Sequence, residues 1–312
     1  MAEITLYDLN GHIRQAPVIA IAEAEDAYHN RIKEIAAYVA SHEAIRIIML
    51  AGPSGSGKTT SANLLKDAII AHGKESIVVS LDDFYRDSSD PDYPRQADGD
   101  RDFECPESLH LAEIAETLKK IAVGEEFSLP KYDFKVGGRV SLTPHEPIRR
   151  GCVIIEGLHA LNPKIADVLP HECVYKVFVS VSTNVIASDG ERLISGRKIR
   201  FVRRMVRDSI YRASDAERTL GMWEDVVAAE DVYLYPYKET ADVRIDTFHS
   251  FELSVMRERA LKLISRELSQ RNSFAAIVFT AMRAVEPLDE SLVPPDSLIR
   301  EFISGGIYHK IY

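Results

Sequence analysis

The sequence predicts an α/β protein with a mostly parallel sheet and helices on both of its faces. Two observations indicate this fold class. Short, continuous apolar runs alternate along the chain with segments of helical period. One apolar run, residues 45–51, also leads through a glycine-rich loop into a helical segment. Because such sheets bind ligands beyond the carboxyl ends of their strands, we expect the functional residues there.

The other elements are predicted from side-chain periodicity and turn residues. A first helix is indicated over residues 25–43, where apolar side chains recur at i, i+3, i+4 and i+7. Further strands are predicted at 76–81, 152–157, 174–181 and 242–247, and helices at 108–122 and between the last two strands. Residues 127–150 are rich in glycine and proline and predict irregular structure or a short hairpin. The polar segment 85–105 is too long for an ordinary connection, so it is either functional or mobile.

Composition narrows the class of protein. A chain of 312 residues with 46% hydrophobic content can hold one large domain or two modest ones. The net charge of −10 disfavours nucleic acid as a partner. Three cysteines without metal-type spacing fit a reducing compartment. With no signal peptide and no apolar run that could span a bilayer, we expect a soluble cytoplasmic protein without a membrane partner.

We divide the chain into three parts. Residues 1–44 form an N-terminal segment with a packing helix, and residues 45–255 form the main domain. Residues 256–312 form a helical C-terminal extension, which the sequence assigns equally well to packing or to an interface. Assembly into a homo-oligomer is left open.

The glycine-rich loop reads G-x-x-x-x-G-K-T between a predicted strand and a predicted helix. In that context its glycines let the backbone wrap phosphate oxygens, and the helix N-terminus adds positive charge. Lys58 would reach the β- and γ-phosphates, and the Thr59 hydroxyl would bind Mg²⁺. The flanking elements disfavour the alternative, a glycine-rich turn that binds nothing. We predict a P-loop NTPase-type domain whose nucleotide ligands are Gly52, Ser54, Gly55, Ser56, Gly57, Lys58, Thr59 and Thr60.

Acidic residues end two other predicted strands. Glu156 follows the apolar run 153–155 and is predicted to hold Mg²⁺ or its water, the alternative being an ordinary surface acid. Asp82 and Asp83 follow the strand at 76–81. Since successive strand residues point to opposite faces, one of the two would face the phosphates and the other would have a turn or capping role. A hydroxyl that attacks a γ-phosphate needs a carboxylate to accept its proton, and one of this pair is the best candidate.

A stripe of arginines follows between residues 197 and 212. Arg200, Arg203, Arg204 and Arg207 share one helical face, with further basic residues on either side. A charge run is usually a solvated face. Four neighbouring arginines repel one another, however, and a polyphosphate would relieve that repulsion. We therefore predict a mobile lid at about 190–215 that closes on the transferring phosphoryl group and excludes water.

Other phosphate-loop classes lack their signatures here. A regulatory GTPase needs Asn-Lys-x-Asp, but no asparagine in this chain precedes a lysine. The Ser-Gly-Gly at 304–306 superficially resembles an ABC-type ATPase signature, but it lies far after Glu156 and is better explained as a C-terminal turn. A small-molecule kinase remains.

Together these motifs resemble the uridine kinase / phosphoribulokinase family. The kinase half of bacterial nucleoside kinases that often carry a TGS domain is similar over roughly residues 25–312, but too few residues precede the first strand for a TGS domain here. The resemblance rests on the phosphate loop and on segments at 81–85, 102–106, 130–134, 155–163, 203–208, 235–237 and 297–303.

The resemblance implies site roles. It implies ATP or GTP as donor, Mg²⁺, Asp82 as general base and metal ligand, and Thr59 and Glu156 at the metal. It places Arg204, Arg207 and Arg212 in the lid, with Arg212 near the nucleotide and Arg204 near the acceptor. It implies that four aromatic residues line the acceptor pocket: Tyr85, Phe103, Tyr132 and Phe134.

The chain departs from the family where the base of the acceptor would be read. Gly137, Met222 and Ser214 stand where uridine–cytidine kinases have a histidine, a glutamine and an arginine. Without hydrogen-bonding groups a pocket loses sharp discrimination, so uridine in particular is in doubt. The sequence favours a nucleoside kinase. A kinase for another polyol or sugar phosphate, and a nucleotide-binding regulatory protein with vestigial activity, remain as alternatives.

Overall fold

The structure is a computed structural model, and residues 2–96 and 99–308 are described from it. Its strands are β1 (Glu3–Thr5), β2 (Ile47–Ala51), β3 (Glu75–Ser80), β4 (Phe127–Asp133), β5 (Gly138–His145), β6 (Gly151–Glu156), β7 (Val174–Ser180), β8 (Asn184–Ile186), β9 (Arg192–Ile194) and β10 (Val243–Asp246). Its α-helices are α1 (Leu6–Gln15), α2 (Pro17–Ser41), α3 (Lys58–Ala71), α4 (Leu111–Val123), α5 (Pro163–Ala166), α6 (Gly196–Tyr211), α7 (Ala216–Tyr233), α8 (Glu252–Leu263), α9 (Arg266–Arg271), α10 (Ser273–Ala284) and α11 (Arg300–Ile303).

The central sheet has five parallel strands in the order β10-β7-β2-β6-β3. These are the apolar runs that the sequence assigned to strands, so the predicted α/β fold class is confirmed. The middle strand β2 is buried along its whole length. Ile48 and Leu50 face one hydrophobic core, and Ile47, Met49 and Ala51 face the other. A strand buried on both faces has no polar positions, which explains its continuous apolar sequence.

The two cores are covered by different helices. Residues of α2, α3, α6, α8 and α10 pack in the first core, and residues of α4 and α5 pack in the second. The extension after residue 255 packs on its own chain, with α8 and α11 both against α6. Of the helices in the described part of the chain, none is long and apolar enough to cross a membrane.

Two small sheets lie beside the central sheet, and the sequence predicted them only in part. β1 pairs with β8, and β8 with β9, in a three-stranded sheet that the sequence did not indicate. β4 and β5 form an antiparallel hairpin within the segment predicted to be irregular or a hairpin. Gly137 lies in the turn of this hairpin with a positive φ of 72°, a conformation that glycine adopts without strain. The hairpin packs beside the 3-10 turn Leu81–Phe84 that follows β3.

Candidate functional site

The glycine-rich loop connects β2 to α3 and is shaped by its glycines. Gly55 and Gly57 have positive φ angles of 73° and 84°, and Gly57 caps the start of α3. Gly52 lies so close to β7 that a Cβ atom there would be 2.3 Å from the Val179 carbonyl oxygen. The loop therefore needs glycine twice for its conformation and once for close approach of the backbone. The side chain of Lys58 lies against this loop, and its Nζ donates to the Pro53 carbonyl oxygen at 3.2 Å.

The ends of three strands meet beside the loop. In the sheet register Glu156 lies opposite both Leu50 of β2 and Ser80 of β3. Its carboxylate is buried and accepts a hydrogen bond from the Ser80 Oγ at 2.8 Å. The convergence expected at the carboxyl edge of a parallel sheet is thus present, and Glu156 is not a surface acid.

The residues predicted to hold Mg²⁺ offer the donor chemistry that this ion prefers. Thr59, Asp82 and Glu156 supply a hydroxyl and carboxylates, which are hard oxygen ligands. Within the described ranges no cluster of three His, Cys, Asp or Glu side chains could hold a metal by itself. Mg²⁺ is usually bound by one or two carboxylates together with waters and substrate phosphates.

Asp82 and Asp83 are neighbours within one 3-10 turn and not within a strand, so the expected strand alternation does not apply to them. They lie in the 3-10 turn Leu81–Phe84, where three residues complete one turn. Asp83 faces the hairpin, with Lys131 Nζ at 3.0 Å and the Tyr132 N–H donating at 3.4 Å. Asp82 is exposed, and its charge contributes to the raised pKa of both Tyr85 and Glu104, of which burial is the largest cause. Asp83 therefore contacts the hairpin, whereas Asp82 is the more exposed of the two acids.

A cavity with a volume of about 480 Å³ lies between the 3-10 turn, the hairpin and the segment 85–105. The four aromatic residues expected in an acceptor pocket all line it: Tyr85, Phe103, Tyr132 and Phe134. Phe134 makes edge-to-face contacts with Tyr85 and Tyr132. Four residues of the segment predicted to be functional or mobile thus line a concave site: Tyr85, Ser88, Phe103 and Glu104.

Glu104 also lines the cavity, although the sequence patterns did not indicate it as a site residue. Burial raises the pKa of its carboxyl group, the charge of Arg204 lowers it, and Asp82 raises it again. The charges of Asp82 and of Arg204 thus act on Glu104 in opposite directions. Its position directly after Phe103 in the segment 85–105 was the available signal.

The arginine stripe of α6 lies against the phosphate loop and divides into two groups. Arg200 is buried and forms a bidentate ion pair with Glu230, in which both N···O distances are 2.8 Å. It also donates to the Ser54 carbonyl oxygen. Arg203 is buried in an ion pair with Glu252 at 2.5 Å and donates to the Gly55 carbonyl oxygen. Two of the four charges are thus balanced by protein carboxylates. The expectation that a polyphosphate relieves their repulsion is therefore wrong for these two arginines.

The second group surrounds one buried carboxylate. Asp208 accepts from Arg207 at 2.8 Å, and Arg204 and Arg212 lie 3.4 and 3.6 Å from it. Arg204 also donates to the Ser54 Oγ at 3.0 Å. The three arginines that the family resemblance places in the lid are therefore gathered by Asp208 beside the loop. Asp208 was part of the recognised motif, but no role had been assigned to it.

The split of the stripe predicts different effects on stability. We expect Arg203→Ala to lower the unfolding free energy by about 3–5 kcal/mol, because it leaves the Glu252 carboxylate buried and unpaired. Arg204→Ala should cost far less stability. The double variant Arg203→Met, Glu252→Leu should recover most of the loss, since a buried ion pair can be replaced by apolar side chains. Urea unfolding measures all three, and equal stability of Arg203→Ala and the parent protein would contradict the assignment.

The positions that depart from the family contribute no base-reading group to the cavity. Gly137 lines the cavity, where a Cβ atom would lie 2.4 Å from the Ser88 Oγ. Met222 is on α7, 37% exposed, and is not among the residues that line this cavity. Ser214 is buried, with its hydroxyl 3.3 Å from that of Thr219. Ala213, next to Ser214, has a positive φ of 49°, which costs an alanine about 1–2 kcal/mol.

The fold and the loop define a P-loop kinase-type protein. The model of the phosphoribulokinase / uridine kinase family matches residues 47–254, and the chain belongs to this family. It is 23% identical over 235 residues to a uridine kinase of Halobacterium salinarum, which covers 73% of this chain and 91% of that protein. It is 29% identical over 185 residues to a uridine kinase of Schizosaccharomyces pombe, which covers 59% of this chain and 36% of that protein.

Further relatives match similar parts of the chain. Uridine kinase-like protein 3 of Arabidopsis thaliana is 25% identical over 202 residues, which covers 64% of this chain and 38% of that protein. The chain therefore spans little more than a third of the length of the plant and the fission-yeast relatives. A solved structure from Bacillus stearothermophilus titled "possible uridine kinase" covers 70% of this chain and 98% of its own, at 18% identity and a TM-score of 0.45.

Proposed function

We propose that the protein is an ATP- and Mg²⁺-dependent kinase that phosphorylates a hydroxyl group of a small molecule, most simply a nucleoside. One observation carries this proposal. Arg204 contacts the phosphate loop through the Ser54 Oγ, and its charge opposes the rise in pKa that burial causes at Glu104, which lines the aromatic cavity. This supports a donor site and an acceptor site that share one arginine, an arrangement suited to phosphoryl transfer between them.

The proposed reaction assigns a role to each group. The backbone N–H groups of the loop and Lys58 bind the β- and γ-phosphates. Asp82 accepts the proton of the acceptor hydroxyl while the hydroxyl oxygen forms a bond to the γ-phosphorus of ATP. The bond between the γ-phosphorus and the bridging oxygen of the β-phosphate breaks, and ADP leaves. Arg204, Arg207 and Arg212 stabilise the charge of the transferring group, with Asp208 holding their orientation. Mg²⁺, held by Thr59, Asp82 and Glu156, would neutralise the phosphate oxygens.

The cavity supports a neutral acceptor with a flat ring. Its aromatic side chains offer stacking surfaces for a base. Glu104 also lines the cavity, where its carboxylate can accept hydrogen bonds from hydroxyl groups of the acceptor. The stacking surfaces together with this hydrogen-bond acceptor favour a nucleoside, while an uncharged polyol remains a second candidate.

A coupled assay of ADP release across nucleosides, polyols and sugar phosphates tests this function. Acceptor-dependent release with at least one nucleoside is expected. Release that does not depend on any acceptor would instead favour a regulatory nucleotide-binding protein with vestigial activity. Efficient turnover of sugar phosphates would overturn the assignment of a neutral acceptor.

Selectivity among nucleosides should be modest. A site that hydrogen-bonds its substrate can discriminate by about 10⁴–10⁵, and this cavity should fall well short of that ratio because its family-specific base readers are absent. We expect kcat/KM for uridine, cytidine, adenosine and guanosine to lie within about a hundredfold of one another. A thousandfold preference for uridine over the purine nucleosides would show that another group reads the base.

A further inference from the structure

The C-terminal segment 297–304 lies against the phosphate loop and the start of α3. Leu298 is fully buried there, with its side chain within 3 Å of where a Cβ atom on Gly57 would stand. Phe302 packs its ring 5.0 Å from the guanidinium of Arg203. Arg300 connects the segment to the residues before it, because its guanidinium donates to the carbonyl oxygens of Val293 and Glu290. This part of the extension therefore packs directly against the candidate nucleotide site.

Glu301 reaches a backbone donor at the start of α3. Its Oε2 accepts from the Thr60 hydroxyl at 2.7 Å and from the Thr60 N–H at 3.3 Å. Thr60 is in the first turn of α3, where backbone N–H groups have no partner within the helix. These are the groups that bind phosphate in a phosphate loop. A carboxylate of the same chain thus occupies a hydrogen-bonding position suited to the anion that the loop would bind.

The carboxylate of Glu301 is buried, and its charge is not balanced by an ion pair with a neighbouring cation in the described part of the chain. The residue is 9% exposed, so little water screens its charge. In the described ranges no lysine, arginine or histidine forms an ion pair with it, whereas Glu230 and Glu252 nearby are each paired with an arginine. A bound nucleotide would bring further negative charge to the same helix terminus, at a cost that grows as the dielectric falls.

We propose that Glu301 is an autoinhibitory contact, which competes with the phosphates of the nucleotide for the start of α3. Nucleotide binding would release Glu301 from Thr60 and loosen the segment 297–304. The C-terminal extension would thereby report whether the loop is occupied. This inference rests on the proposed function, because it requires that the loop bind a nucleotide.

Glu301→Gln tests the charge while preserving the size of the side chain and an acceptor for the Thr60 hydroxyl. We expect the Kd for ADP, measured by calorimetry, to fall about tenfold, and the Kd for uncharged adenosine to stay unchanged. Glu290→Gln is the matched control, since that carboxylate is on the same extension but pairs with Arg259 away from the loop. It should leave both affinities unchanged.

Hydrogen–deuterium exchange on the parent protein gives a second readout that no folding defect can disturb. Addition of ADP should speed exchange in residues 297–304, while adenosine should not. Unchanged or weaker ADP binding by Glu301→Gln, or slower exchange on addition of ADP, would overturn the proposal and make Glu301 a supporting residue of the loop. Failure of the parent protein to bind ADP at all would overturn the proposed function as well.

Discussion

Lys58→Ala is expected to lower phosphoryl transfer by about a thousandfold or more, the scale of losing a preorganised electrostatic group. Lys58 contacts the loop through the Pro53 carbonyl oxygen and is only half buried, so its truncation removes no core packing. The unfolding temperature should therefore stay close to that of the parent protein. Steady-state turnover with a saturating acceptor and a thermal melt measure the two effects.

Lys66→Ala is the matched control for this experiment. Lys66 is on the same helix, α3, and contacts Asp67 at 3.2 Å rather than the loop. Its truncation should leave turnover unchanged. A Lys58→Ala protein with near-parental turnover would remove the basis for assigning the loop to phosphate binding.

Asp82→Asn is expected to reduce turnover by about a hundredfold or more, because a general base is lost. The affinity for ATP should change far less, since the loop supplies most of the phosphate contacts. Single-turnover rates and direct binding of ATP separate the two quantities. An equal loss of affinity and rate would instead indicate that Asp82 acts mainly through the bound metal.

Asp83→Asn is the paired control, one residue away in the same 3-10 turn. It removes the charge that faces Lys131 of the hairpin, a partly exposed pair worth about 0.2–1 kcal/mol. Turnover should fall much less than in Asp82→Asn, because only the packing of the hairpin beside the cavity is weakened. A larger loss at Asp83 than at Asp82 would reverse the assignment of the two acids.

Features encoded over short stretches of sequence were predicted most accurately. The five central strands are continuous apolar runs because both faces of the sheet are covered, and each is found close to its predicted position. The phosphate loop was identified because its glycines have a local backbone requirement, seen as the positive φ of Gly55 and Gly57. The placement of Glu156 followed from the geometry of parallel strand ends. In contrast, β1, β8 and β9 are three-residue strands, too short to show a period.

The sequence by itself determined the fold class, the phosphate loop and the residues that follow the strands, because each depends on near neighbours along the chain. Only the tertiary structure decided how the arginines of α6 are used, since Arg203 meets Glu252 across 49 positions and Arg200 meets Glu230 across 30. It likewise decided that Glu301 reaches Thr60, 241 positions away. No periodicity predicts such pairs, because they form only when separate elements pack on the same sheet.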